Sequence, residues 1–168
     1  MITPDYVRTM ARYNAWQNQN LLEAAATLDA AALQADRGAF FGSIEETFNH
    51  ILWDDTVWMS RFEAGPRPEV GFQGSRTFTD GWEAFLAERQ TMDGRLQAWA
   101  DTRSQAQLDG ILSFHSVAAG AEITKPVAIC VTHLFNHQTH HRGQIHAMLT
   151  AAGARPGDTD LFIMTGVD

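Results

Sequence analysis

Four stretches of this chain place apolar side chains three and four residues apart, the spacing that puts them on one face of an α-helix. The stretches cover residues 4–28, 43–63, 80–101 and 126–152. Thr3 before Pro4 is a helix start signal, Ser43 with Glu46 is a capping-box pattern, and Gly153 is a stop signal. The pattern therefore predicts four long helices. The inward face of the first is expected to carry Tyr6, Met10, Tyr13, Trp16, Leu21 and Leu22.

Two of the connections have signals of their own. Prolines and glycines between residues 64 and 78 predict a loop, because proline removes a backbone donor and glycine is entropically costly in a helix. Two short apolar runs between residues 108 and 125 predict a pair of strands. The residues expected to pack this pair against the helices are Phe114, Val117 and Ile123.

The ends of the last helix are also marked. Thr124 and Pro126 are expected to cap the helix and to occupy its first turn. After Gly153 the tail is mostly polar, but residues 161–164 are apolar. We expect these four residues to dock on the helices.

Length and composition limit the fold further. The chain has 168 residues, of which 45% are hydrophobic and 19% are charged. A chain of this size can bury roughly 70% of its unfolded surface around one core. It contains no internal repeat and no low-complexity linker. We therefore expect a single domain over residues 1–168, an all-α four-helix bundle with a short hairpin before its last helix.

Charge and cysteine content restrict the partners and the compartment. A formal net charge of −8 repels phosphate backbones and anionic membrane surfaces, which disfavours nucleic acid and membranes as partners. Cys130 is the single cysteine, so it cannot form an internal disulfide and fits a reducing compartment. The N-terminal residues do not resemble a signal peptide, and no run of about eighteen apolar residues occurs. These features predict a cytoplasmic protein.

Five of the seven histidines lie within residues 133–146 of the last helix. His137 and His141 fall on the apolar stripe of that helix and are four residues apart, so their rings lie one turn apart on one face. Such a pair can bind one metal ion at about 2.0 to 2.1 Å. The alternative is that each ring is an ordinary packed histidine, but two buried imidazoles need polar partners and one cation would serve both.

The spacing of the pair does not choose the third ligand. His133 and His115 are candidates, as are His50 and Glu46 on the second helix. The position of His50 in the helical repeat is equally compatible with an inward and with a half-exposed side chain.

No acidic residue follows the first histidine of the pair, so the HExxH pattern of zinc peptidases is absent and peptidase chemistry is disfavoured.

Together, four segments of the chain resemble the DinB-like family, also described as damage-inducible DinB or YfiT-like metal-dependent proteins. The segments are YNAWQNQNLLEA, NHILWDDTVWMSRF, HLFNHQTHHRGQIHAML and TDLFIM, and the resemblance extends over nearly the whole chain. It implies a four-helix bundle, commonly dimeric, with a divalent metal ion held by three histidines. At the matching positions these are His50, His137 and His141, whereas His140 is not assigned as a ligand.

The resemblance leaves the reaction open, because relatives include thiol-dependent transferases and isomerases. The first hypothesis is a metal-dependent enzyme of thiol-transferase or hydrolase type that uses zinc or nickel. An open fourth position would then lower the pKa of a bound water or thiol. The second is a non-catalytic metal-binding stress-response protein, favoured if His133 or Glu46 completes the coordination sphere. The third is a helical interaction module without metal.

Several neighbours of the histidines have alternative roles. The candidates for orienting the imidazole rings are Asp54, Glu46, Asn49, Gln138 and Gln144. Asp54 is equally suited to an ion pair with Arg61. Arg142 is expected to be either a solvated charge or a binder of a substrate carboxylate. Gly143 within a helix suggests a close approach to its backbone, and Cys130 is expected to be a buried, inert thiol.

Overall fold

The computed structural model of this chain describes residues 1–117 and 119–165. The protein is mostly helical and contains one two-stranded antiparallel sheet. Its elements, in chain order, are α1 (Pro4–Ala25), α2 (Ala30–Gln34), α3 (Ile44–Phe62), α4 (Trp82–Asp101), α5 (Gln105–Leu108), β1 (Ile111–Ser116), β2 (Ala121–Pro126) and α6 (Val127–Ala151). Two 3₁₀ turns lie at Phe72–Thr77 and Leu161–Ile163.

The predicted helix signals act as expected. The Thr3 hydroxyl accepts a hydrogen bond from the backbone N–H of Tyr6 and caps α1. Ser43 and Glu46 cap α3 reciprocally, each side chain accepting from the backbone N–H of the other. Gly153 has a φ of +88°, a conformation that favours glycine, just after the end of α6.

The hairpin between α5 and α6 is also confirmed. β1 and β2 pair in a register that begins with Ile111 opposite Pro126. Phe114 is half-buried against Trp58, but Val117 lies beyond β1 and is 78% exposed, so its predicted packing role is wrong. The predicted cap is wrong too. Thr124 lies in β2 beside Ser113, because the strand continues up to the first residue of α6.

The four long helices pack in pairs: α1 and α3 each contact both α4 and α6. The inward face of α1 differs from the prediction, since Tyr6 and Met10 lie at its edge. The buried residues of α1 are Val7, Ala11, Asn14, Gln17, Asn18, Leu21, Ala24 and Ala25. Three of them are amides, which a purely apolar stripe does not include.

Two of these amides, Asn14 and Asn18, belong to a buried polar network between the helices. Arg89 of α4 donates to the Asp55 carboxylate at 2.6 Å and lies 2.7 Å from an oxygen of Asp93. Gln138 of α6 donates to the other Asp55 oxygen, and Arg142 donates to Asn14 and Gln138. Asn18 donates to Asp93 at 2.8 Å. Side chains of all four long helices therefore meet in one network.

The C-terminal tail lies on α1 mainly through polar contacts. Tyr13 donates from its hydroxyl to the carbonyl of Thr159 at 2.7 Å, and Gln17 donates to the carbonyl of Asp158 at 2.9 Å. Only one of the four apolar tail residues is buried, namely Met164, while Phe162 is 84% exposed. The predicted apolar docking of the whole segment 161–164 is thus wrong. No helix in the described parts of the chain is long and apolar enough to cross a membrane.

Candidate metal centre

Packing of α3 against α6 brings three predicted histidines together. One ring nitrogen from each of His50, His137 and His141 lies within 4.8 Å of the other two. His137 and His141 are one turn apart on α6, and His50 approaches them from α3. His50 and His141 are buried, at 3% and 6% exposure, and the His137 side chain is 20% exposed. The cluster therefore has one partly open side.

The outward nitrogen of each ring faces a protein oxygen. Nδ1 of His50 lies 3.0 Å from the hydroxyl of Ser75, and Nδ1 of His141 lies 2.7 Å from Oε1 of Gln144. Nδ1 of His137 lies 3.0 Å from Oδ2 of Asp54. The angle of this last approach falls outside that of a regular hydrogen bond, and neither atom has a hydrogen-bond partner among the described residues.

The inward nitrogens of the α6 pair face each other. Nε2 of His137 and Nε2 of His141 are 3.0 Å apart. Carboxylate oxygens and the Gln144 amide oxygen act as acceptors, which favours the tautomer with the hydrogen on Nδ1 in both rings. Two Nε2 lone pairs then point at each other and repel unless a proton or a metal ion lies between them.

The spacing of the cluster suits such an ion. Two ligands at 2.0 to 2.1 Å around a tetrahedral ion are about 3.3 Å apart. The two Nε2 atoms of the α6 pair are 3.0 Å apart, and the three ligand nitrogens all lie within 4.8 Å of one another. Imidazole is a common ligand of zinc, nickel, copper and iron. The three rings thus fit a divalent transition-metal ion.

Burial controls the protonation of these rings. It lowers the pKa of His50 to about 3, with a further lowering by His141 and His137, and it lowers the pKa of His141 to about 4. Both rings are therefore neutral near pH 7, the form that binds a metal. Burial also acts to lower the pKa of His137, but the Asp54 carboxylate outweighs it and raises that pKa above its ordinary value.

Aromatic rings enclose the His50 side of the cluster. The ring of Phe41, which is 2% exposed, stacks on His50 at a centroid distance of 3.8 Å. Phe72 meets His50 edge-on at 5.8 Å, and Trp53 stacks on it at 5.9 Å. An apolar shell of this kind limits the access of water and lowers the local dielectric.

The other predicted ligand candidates do not join the cluster. Glu46 accepts from the backbone N–H of Ser43 as part of the α3 cap. His115 lies on β1, 3.2 Å from Glu122. The His133 ring lies 5.6 Å from that of His137, but its nitrogens are not part of the cluster. Within residues 1–117 and 119–165, the group contains three histidines and no fourth His, Cys, Asp or Glu.

Two of the five predicted orienting residues lie at the rings, Asp54 and Gln144. Glu46, Asn49 and Gln138 have other partners. Ser75, which faces His50, was not predicted, because it comes from the 3₁₀ turn inside the expected loop. Nothing in its local sequence marks a contact 25 positions away.

Two further expectations for α6 are wrong. Arg142 is buried, at 5% exposure, and its guanidinium is used within the polar network, so it is neither a solvated charge nor free to bind a substrate. A side-chain carbon at Gly143 would meet no atom within 4 Å, so nothing in the described chain approaches its backbone closely. Cys130 is buried as predicted, and burial raises the pKa of its thiol.

Fold and site together define a mostly helical protein with a histidine cluster suited to a metal ion. A model described as the DinB family matches residues 1–165, so the chain belongs to the DinB family. Protein DinB of Bacillus subtilis (strain 168) is 25% identical to it over 171 residues. The similarity covers 93% of this chain and 91% of that protein. These comparisons confirm the family resemblance of the sequence.

Proposed function

We propose that this protein binds a divalent metal ion, zinc or nickel, through His50, His137 and His141. The observation that carries the proposal is the 3.0 Å approach of two Nε2 atoms whose rings turn Nδ1 toward acceptor oxygens. A metal ion between the rings would bind both Nε2 lone pairs, and His50 gives it a third ligand. Membership of the DinB family supports the same assignment.

We further propose that the metal serves a reaction of thiol-transferase or hydrolase type. A structural zinc site is normally closed by four protein ligands, whereas a catalytic site keeps a position open. The described residues offer three ligands, and His137 faces the partly open side. When bound there, a divalent cation lowers the pKa of a water or thiol at the open position. The protein supplies the neutral rings, their orientation and the apolar shell.

A four-helix bundle is the architecture we propose to hold this centre. It is supported by the pairwise packing of α1, α3, α4 and α6. A non-catalytic metal-binding role is the alternative, and it would require a fourth protein ligand. His133 and Glu46, the two residues considered for it, do not belong to the cluster.

The first test is elemental analysis of protein purified without an affinity tag. We expect about one zinc or nickel ion per chain and a lower melting temperature after chelation, because an ion bound only to the folded state stabilises it. His137→Ala should abolish stoichiometric binding. His140→Ala is the matched control, since His140 is an exposed histidine on the same helix outside the cluster. A metal-free wild type that also gains no stability from added zinc or nickel would refute the proposal.

We also propose that the protein is a cytoplasmic homodimer. The family resemblance supports the dimer, and we place its contact at the exposed apolar side chains of Ile111 on β1 and Ile129 on α6, which are 64% and 45% exposed. Sedimentation equilibrium should give twice the chain mass for the wild type. Ile129→Asp should give the monomer mass, and a monomeric wild type would refute the proposal.

A further inference from the structure

Arg61 of α3 is a half-buried cation in the corner formed by two aromatic rings that meet at 72°. Its guanidinium carbon lies 4.4 Å from the ring centroid of Trp58 and 4.2 Å from that of Phe114. Trp58 precedes it on α3, and Phe114 comes from β1. The hairpin therefore contributes the second of the two rings that contact Arg61. Cation–π contacts with both rings hold the guanidinium at this position.

The hydrogen-bond donors of Arg61 have no acceptor in the part of the chain that is described. No carboxylate lies within 4.0 Å of it, so the predicted ion pair with Asp54 is not formed. Arg103 provides a comparison, because it also lies over a tryptophan, at 5.2 Å from Trp99. Its guanidinium donates to the Trp99 carbonyl and to Thr102. Arg61 makes no such bonds.

A guanidinium whose donors have no acceptor among the described residues is suited to binding an oxyanion. It presents five N–H donors in a rigid fork that matches the two oxygens of a carboxylate or phosphate. The two rings shield adjacent sides of the guanidinium from water and strengthen an ion pair formed on its open side. Burial lowers the pKa of Arg61, with an opposing effect of the Asp54 carboxylate and a further lowering by Arg67.

Arg61 is connected to the histidine cluster by a row of side chains. The His133 ring lies 5.1 Å from Trp58 and 5.6 Å from His137, and His133 is exposed. His50 and Arg61 are eleven positions apart on α3, about 16 Å along the helix axis. Because the Arg61 side chain reaches back over Trp58, its distance from the cluster is on the order of 10 to 15 Å.

We infer that Arg61 binds the oxyanion group, a carboxylate or a phosphate, of an elongated small molecule whose other end reaches the three histidines. The second half of this inference rests on the proposed metal function. The first half rests on Arg61 alone. The ligand lies along His133, the exposed side chain between the two ends.

The test follows the Arg61 Nε–H signal by NMR in 15N-labelled protein. Metal-free and zinc-loaded protein are titrated with glutathione, with its diamide, in which both carboxylates are amides, and with inorganic phosphate. We expect glutathione or phosphate to shift the signal saturably and the diamide to leave it in place. The titrations of metal-free protein also identify the preferred anion. It is whichever of phosphate and glutathione saturates the shift of the Arg61 signal at the lower concentration.

Variants test the role of Arg61 separately from metal binding. Arg61→Met should weaken binding of the preferred anion at least tenfold and leave the zinc stoichiometry unchanged, whereas Arg103→Met should change neither. Failure to bind zinc would refute the metal function, while the metal-free titration would still decide the role of Arg61. The inference is overturned if neither anion shifts the Arg61 signal saturably, or if Arg61→Met binds the anion as the wild type does.

Discussion

Nδ1 of His137 lies 3.0 Å from Oδ2 of Asp54, across the contact between α6 and α3. Neither atom has a regular hydrogen bond with the described residues. A carboxylate behind an imidazole fixes the ring orientation and raises its basicity as a ligand. This relationship therefore assigns Asp54 the orienting role that the sequence left open, in place of the ion pair with Arg61.

Asp54→Asn should weaken zinc binding by about 10- to 100-fold, because the amide is a poorer acceptor and carries no charge to stabilise the ring. Competition with a chromophoric chelator measures the affinity. Asp80→Asn removes the same charge from an exposed position and should bind zinc as the wild type does. Equal affinities of wild type and Asp54→Asn would show that the carboxylate does not support the site.

Ser75→Ala should weaken zinc binding by about tenfold, at the lower end of the range for residues that hold a ligand in place. The hydroxyl of Ser75 lies 3.0 Å from Nδ1 of His50, and its removal frees the ring to rotate. Ser60→Ala is the control, since Ser60 is also buried but donates only to the Val57 carbonyl of its own helix. A matching loss in Ser60→Ala would indicate a general effect of stability.

Arg89→Met should lower the free energy of unfolding by about 3 to 5 kcal/mol, because it leaves Asp55 as an uncompensated buried charge. Burial already raises the pKa of Asp55 to about 6, despite the opposing charge of Arg89. Arg95→Met, on the same helix, breaks an ion pair with Glu63 that is about one-third exposed, and should cost at most about 1 kcal/mol. Urea unfolding at pH 7 measures the free energy of unfolding of both variants and of the wild type.

Cys130 should react with a disulfide reagent such as Ellman's reagent only after unfolding. Burial raises the pKa of its thiol, so the native protein forms less thiolate than an unfolded chain at the same pH. The stability that this thiol contributes is fully present below its unfolded pKa, about 8.5, and declines as the pH rises above it. At pH 8 we expect Cys130 of the native protein to react on the order of 100-fold more slowly than Cys130 of the protein unfolded in urea. Comparable rates would contradict a buried thiol.

Local patterns in the sequence were sufficient for the long helices and for two of the three histidines of the candidate site. The capping box of Ser43 and Glu46 and the four-residue spacing of His137 and His141 depend on contacts within one helical turn. Such contacts are the same in any fold that contains the helix. The hairpin before α6 was predictable for a similar reason, since its two strands are adjacent in the chain.

The tertiary structure decided which faces are buried and which atoms meet. The phase of His50 allowed an inward or a half-exposed position, and only the packing of α3 on α6 places it at 3% exposure among aromatic rings. Arg142 and Asn14 are polar in sequence but buried in fact, because their partners come from other helices. Ser75 reaches His50 from a turn with no helical pattern.

The sequence by itself determined the helices, the spacing of the α6 pair and the family motifs, because each is set by residues close together in the chain. The third histidine of the cluster, the Asp54 and Ser75 oxygens that face the rings, and the contact of Arg61 with Phe114 depend on contacts between distant segments. These contacts decide the structure of the site because the groups that make them are buried or half-buried. A buried polar group needs a partner, and only the assembled fold determines which one it finds.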